Sequence, residues 1–168
     1  MTKGLVIYHS LFGNTKKIAM SLAGGLEEAG VPTDVLVIDD VDLQRLPEYD
    51  FIAIGGPTHI LGVSKELKAF LERLSSLDLR GKKGFAFDTR NESRMNKRRY
   101  LVLENSAARR IEGKMKSMKM KVIRPRESAI VSGREGPLEQ QAENSFFMIG
   151  KEIAKSINPD LMKISEST

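Results

Sequence analysis

Short apolar runs alternate along the whole chain with segments in which apolar residues recur every three or four positions. Leu5 to Tyr8 reads as a buried first strand, and Ile18, Leu22, Ala23 and Leu26 form one face of a helix that Gly30 stops. Val35 to Ile38 reads as a second strand. Asp39 to Tyr49 is acidic and contains Pro47, which suits a loop or a single helical turn better than a full crossover helix. Phe51 to Ile54 is a third buried strand. After the loop from Gly55 to Gly62, Leu67, Phe70, Leu71 and Leu74 mark a helix capped by Ser64. Gly84 to Phe87 is a fourth strand, residues 91 to 99 are polar and basic, and Leu103 to Met118 carries a weaker amphipathic pattern interrupted by Gly113. Val122 to Val131 is extended. Gly133 and Gly136-Pro137 then turn the chain into a last helix with Phe146, Phe147, Ile149 and Ile153 on its apolar face, ended by Asn158-Pro159.

Buried strands alternating with helices predict an α/β fold, a parallel sheet covered on both faces whose ligand lies at the carboxyl ends of the strands. The pattern divides into one domain over residues 1–157 and a polar C-terminal tail over 158–168, with no repeat or linker. At 168 residues a single domain can bury a full core. The absence of cysteine excludes disulfides, thiolate nucleophiles and cysteine-held metal clusters, so redox chemistry needs a bound cofactor. Two histidines fifty residues apart make a poor metal site. No apolar run reaches the roughly 20 residues of a membrane span, and no signal peptide is evident, so the expectation is a cytoplasmic protein without a membrane anchor.

Charge changes the picture in one respect. From Arg80 to Arg126, sixteen Lys and Arg face four Asp and Glu, a net +12, whereas the rest of the chain carries −7. Such asymmetry predicts a basic face that attracts an anionic partner.

The chemistry concentrates in three loops. Val6 to Ala19 takes a buried strand through Ser10-Leu11-Phe12-Gly13-Asn14-Thr15 directly into a helix. The first N–H groups of a helix lack intrahelical acceptors and sit at the positive end of its dipole, so such a junction holds a phosphate without Lys or Arg. Ser10 and Thr15 add hydroxyl donors, and Gly13 lets the backbone approach closely. The second loop, Gly55 to Gly62, offers Pro57, Thr58, His59, Ile60 and Gly62, suited to one face of a planar heterocycle. The third segment, Phe87-Asp88-Thr89-Arg90, follows the fourth strand and can hydrogen-bond a ring edge or a ribityl chain, although Asp88 and Arg90 equally suit a surface ion pair. Phosphate at one end and a flat ring at the other describe FMN.

The first segment fits the flavodoxin-family signature from Val6 through Ser10, Gly13, Thr15 and Ala19 to Leu22, and the chain resembles that family. Gly56-Pro57-Thr58-His59 is similar to the family's second flavin loop, Phe87-Asp88-Thr89-Arg90 to a form found in archaeal and bacterial members, and Glu135-Gly136-Pro137-Leu138 to the turn before the last helix. The resemblance covers residues 3 to about 155 and implies a doubly wound five-stranded parallel sheet of order 2-1-3-4-5, non-covalently bound FMN and electron transfer. Departures from the pattern are expected to matter. His59 stands where many members place an aromatic residue, and the basic residues Arg90, Arg94, Lys97, Arg98 and Arg99 replace the usual acidic surroundings of the ring. An acidic redox partner follows from that charge, and a guanidinium at Arg90 or Arg94 would raise the low-potential flavin couple. The truncated region after the second strand leaves its edge poorly covered, so both a monomer and a homodimer are compatible.

Two other functions remain open on the residues. One is an FMN-dependent quinone or porphyrinogen reductase on the same fold. The other is a basic module that binds an anion or nucleic acid without flavin, disfavoured because Tyr100 is the only aromatic between Arg90 and Arg126.

Overall fold

The computed structural model describes residues 1–59, 62–91 and 106–165. Strand β1 (Gly4–Tyr8) leads into α1 (Asn14–Glu28), and β2 (Thr33–Val37) follows. Two 3₁₀ turns, Ile38–Asp40 and Leu43–Glu48, then return the chain to β3 (Phe51–Pro57), in keeping with the short connection that Pro47 predicts. Helix α2 (Lys65–Arg73) starts at Ser64, whose hydroxyl accepts the Leu67 N–H at 3.2 Å. Next come β4 (Lys83–Asn91), α3 (Ala107–Ser117), β5 (Lys121–Val122), β6 (Glu127–Val131), α4 (Ala142–Ile157) and α5 (Pro159–Ser165).

All strand pairs are parallel, in the order β2-β1-β3-β4, and β5 and β6 share the fifth position beside β4. The extended stretch from Val122 to Val131 is thus two strands rather than one. Pro125 has no N–H to give, and the Arg126 N–H goes to the Glu112 carboxylate of α3 at 3.2 Å instead of to β4. Pairing resumes at Glu127, opposite Phe87.

One apolar cluster lies under α2, α3 and the 3₁₀ turns, with Leu5, Ile7, Ile52 and Ile54 from the sheet. The other lies under α1 and α4, with Val6, Phe51, Phe85 and Phe87. Alternate residues of each strand serve opposite clusters, the period-two rule for a sheet buried on both faces. Gly113 does not interrupt α3, which runs from its Ser106 cap through Ser117. Of the last helix, Phe146, Ile149 and Ile153 are buried, whereas Phe147 is only partly buried, against Gly24 of α1. The residues after Asn158, polar in sequence, form α5, and Leu161 packs on the second cluster.

The edge strand β2 is tied to the turn after it by the Tyr49 hydroxyl, which donates to Asp34 at 2.7 Å. Burial and this carboxylate push the Tyr49 phenol up to about 12, and the same bond holds Asp34 below its ordinary value. The folded state favours the neutral phenol, so the bond's contribution is complete below pH 10 and lost as pH rises toward 12. For Asp34 the contribution is present above its ordinary pKa of 3.8 and lost as pH falls through the lowered value. Absorbance at 295 nm is expected to show one of the three tyrosines ionising only near pH 12, and Tyr49→Phe is expected to remove that step.

Candidate functional site

The strand order reverses between β1 and β3, because the chain leaves β1 for one edge and β3 for the other; their carboxyl ends open the crevice where such sheets bind ligands. The first loop occupies that point. Gly13 precedes α1 with φ 89°, a left-handed conformation that costs other residues about 1–2 kcal/mol. Among the described residues no side chain caps the helix. The Gly13 N–H donates to Ser10 Oγ at 3.1 Å, and the first intrahelical bond runs from the Lys17 N–H to the Gly13 carbonyl at 3.1 Å. The N–H groups of Asn14, Thr15 and Lys16 therefore have no intrahelical acceptor.

The hydroxyls around this terminus are oriented. Ser10 accepts from Gly13, which leaves its own proton to donate. Thr15, 1% exposed, meets Thr89 of β4 with 2.9 Å between hydroxyl oxygens, so Thr89 can donate to Thr15 and free the Thr15 proton to point outward. The Asn14 amide is buried and donates to the Glu135 carbonyl at 3.0 Å, with Gly136 packed directly on it. The turn before α4, singled out in the sequence only by its likeness to a family feature, thus forms one wall of the loop. Leu11 and Phe12 are about half exposed, and the Arg134 guanidinium lies 6.0 Å from the Phe12 ring centre. Lys16 and Lys17 are exposed on the first turn of α1.

The second loop leaves β3 later than its glycines suggest, because pairing with β4 continues through Gly55, Gly56 and Pro57. Thr58 is fixed at once: its N–H donates to the Thr89 carbonyl at 2.9 Å, and its hydroxyl donates to Asp88 at 2.7 Å while accepting the Ala107 N–H at 2.9 Å. That hydroxyl has no proton left for a ligand. His59 and Gly62 close a tight turn through two backbone bonds, 2.7 and 3.1 Å. Ile60, Arg94, Lys97, Arg98, Arg99 and Tyr100 lie outside the described residues. Among the described residues the buried Nε2 of His9, just after β1, has no hydrogen-bond partner; the Glu66 carboxyl is held below its ordinary value chiefly by its own backbone N–H at the start of α2, with His9 contributing.

The third segment needs correction. Asp88, Thr89 and Arg90 are not loop residues but part of β4, which β3 and β6 hold from both sides as far as Pro57 and Val131. Thr89 turns toward Thr15, while Asp88 turns to the α3 side and is completely buried. Arg90, its side chain 13% exposed, donates from Nε to Asp88 at 3.1 Å, so the ion pair is buried rather than superficial and Asp88 does not border the crevice. Among the described residues, no group of three His, Cys, Asp or Glu could hold a metal ion, and no helix is long and apolar enough to cross a membrane.

A helix terminus with unpaired N–H groups, the Ser10 hydroxyl with its proton to give, the Thr15 hydroxyl able to donate when Thr89 donates to it, and a tight glycine turn form a donor set for one phosphate, as FMN presents. Comparison with known proteins identifies the family. The family model for flavodoxin matches residues 6–146. A flavodoxin of Clostridium saccharobutylicum is 32% identical over 87 residues, 51% of this chain and 54% of that protein. An NAD(P)H dehydrogenase (quinone) of Archaeoglobus fulgidus is 31% identical over 121 residues, 55% of this chain and 63% of that one. The chain thus spans little more than half the length of these curated relatives. Among solved structures, a flavodoxin from the domain Archaea superposes with a TM-score of 0.74 at 25% identity, over 93% of this chain and 99% of that one. Oxidised flavodoxin 1 from Bacillus cereus gives 0.77 over 94% and 100%, and at 23% identity shows the shared fold.

Proposed function

The chain belongs to the flavodoxin family, whose cofactor is FMN, and we propose on that premise that it is an electron carrier in which the flavin supplies the redox chemistry and the protein binds and tunes it. The observation that carries this reading is the uncapped start of α1 at the strand-order reversal, flanked by the Ser10 and Thr15 hydroxyls. Ser10, Asn14 and Thr15, with the neighbouring N–H groups, hold the phosphate. Leu11, Phe12, Pro57, Thr58, His59 and Gly62 border the ring and its chain, and Thr89 acts by orienting Thr15. Arg90 faces a carboxylate, so its charge reaches the ring largely cancelled.

The likeness to quinone dehydrogenases favours a second reading, an FMN-dependent quinone reductase. Steady-state assay of the FMN-loaded protein with NADH or NADPH and a benzoquinone separates the two. A carrier is expected to give no turnover above that of free FMN, and sustained turnover would establish the enzyme instead.

The exposed Lys16, Lys17 and Arg134 beside the first loop, together with the net +12 of residues 80–126, support an acidic partner protein. Stopped-flow oxidation of the reduced protein is expected to slow with added salt when the acceptor is an acidic ferredoxin and to quicken when it is basic cytochrome c. Screening shortens from about 30 Å at 0.01 M to about 3 Å at 1 M salt, which switches off both effects. Rates independent of salt for both acceptors would contradict the assignment.

A further inference from the structure

Asp88 is wholly buried at the sheet edge that carries the cofactor site, and neither the phosphate grip nor the ring contacts use it. Its carboxylate accepts the Thr58 hydroxyl at 2.7 Å, the Ala108 N–H at 3.2 Å and Arg90 Nε at 3.1 Å. Thr58 accepts in turn from Ala107, so the carboxylate and the hydroxyl together satisfy two first-turn N–H groups of α3. This arrangement gathers β3, β4, α3 and the root of the second loop on one residue. A buried carboxylate is costly unless paired, and here a hydroxyl, a backbone N–H and a guanidinium all pair with it. The loop root is held in place as a result, while beyond it the His59–Gly62 turn closes on itself.

We propose that Asp88 is a positioning residue for the ring-side loop, acting through the Thr58 hydroxyl, and that it cancels the Arg90 charge at the edge of the sheet. The inference rests on the FMN reading and extends it. An ordinary structural ion pair would affect melting alone. A positioning pair also sets how the ring is held and how its oxidised and reduced forms compare.

Thr58→Val removes the bridging hydroxyl and Thr58→Ser keeps it. FMN and riboflavin are both expected to bind Thr58→Val about tenfold more weakly, with the ratio of their affinities unchanged, because the phosphate grip lies elsewhere. Thr58→Ser is expected to restore the parent affinities. Asp88→Asn keeps the shape and removes one buried negative charge from the sheet edge. Reduced flavin, the more negative form, is then expected to bind about tenfold tighter relative to oxidised flavin, a rise of about 59 mV in a one-electron couple. Arg90→Gln leaves the carboxylate charge alone and is expected to lower the same couple. Parent-like affinities in Thr58→Val, or a parent-like potential in Arg90→Gln, would overturn the proposal even if Asp88→Asn failed to fold. Equal affinity of the parent for FMN and riboflavin would overturn the phosphate assignment instead, and the Thr58 comparison remains readable with either flavin.

Discussion

Gly150→Ala is expected to lower stability by about 3 kcal/mol or more, which for a chain of this size moves the melting temperature down by roughly 6–12 °C. A Cβ at Gly150 would stand 2.2 Å from the Leu22 carbonyl oxygen and 2.9 Å from the Leu26 nitrogen of α1, and one at Gly25 would stand 2.0 Å from the Phe147 carbonyl oxygen. These neighbours are backbone, so relief requires α1 and α4 to move apart. Alanine's better helix propensity returns only about 1 kcal/mol. Gly113 supplies the contrast: it sits inside α3, where an added Cβ would meet nothing within 4 Å, and Gly113→Ala is expected to stabilise by about 0.5–1 kcal/mol. Urea unfolding of the two variants beside the parent checks both signs. Because α1 begins at the proposed phosphate loop, Gly150→Ala is also expected to weaken FMN binding.

Thr15→Val is expected to cost about 1.5–3 kcal/mol of FMN affinity, between ten- and a hundredfold or slightly more, the usual cost of losing a hydrogen bond to a charged group. The side chain is buried, and valine preserves its shape while removing the hydroxyl that can donate outward when Thr89 donates to it. Riboflavin affinity is expected to stay at the parent value, and Thr15→Ser to bind FMN as the parent does. Flavin fluorescence quenching measures all of these constants, and a Thr15→Val protein with parent FMN affinity would remove Thr15 from the phosphate site.

Much of this site is legible in the sequence because local rules govern it. A strand followed by Ser10, Gly13, Asn14 and Thr15 and then a helical repeat describes a junction whose donors depend on backbone geometry alone, and the structure brings those residues together at the start of α1. The parallel sheet covered on both faces follows from buried runs alternating with helices, whereas its strand order is legible only through the resemblance to the flavodoxin family. What the sequence hid depends on partners distant along the chain. Gly55, Gly56 and Pro57 carry turn signals, yet they are strand, because Phe87 of β4 fills the space that a side chain at Gly55 would occupy. Asp88 and Arg90 look like polar loop residues until Thr58 and the first turn of α3 surround the carboxylate. Likewise nothing local in Asn14 announces the Glu135 carbonyl 121 positions away. Pro125 is a local signal of the opposite kind, for a proline inside an extended run marks the break between β5 and β6.

Holding FMN by its phosphate at the start of α1 is the property on which the other functional expectations depend. Titration of the flavin-free protein with FMN and with riboflavin at one fixed salt concentration tests it most directly. Two or more charge-assisted hydrogen bonds predict FMN binding at least about a hundredfold tighter than riboflavin, and equal affinity for the two flavins would contradict the account.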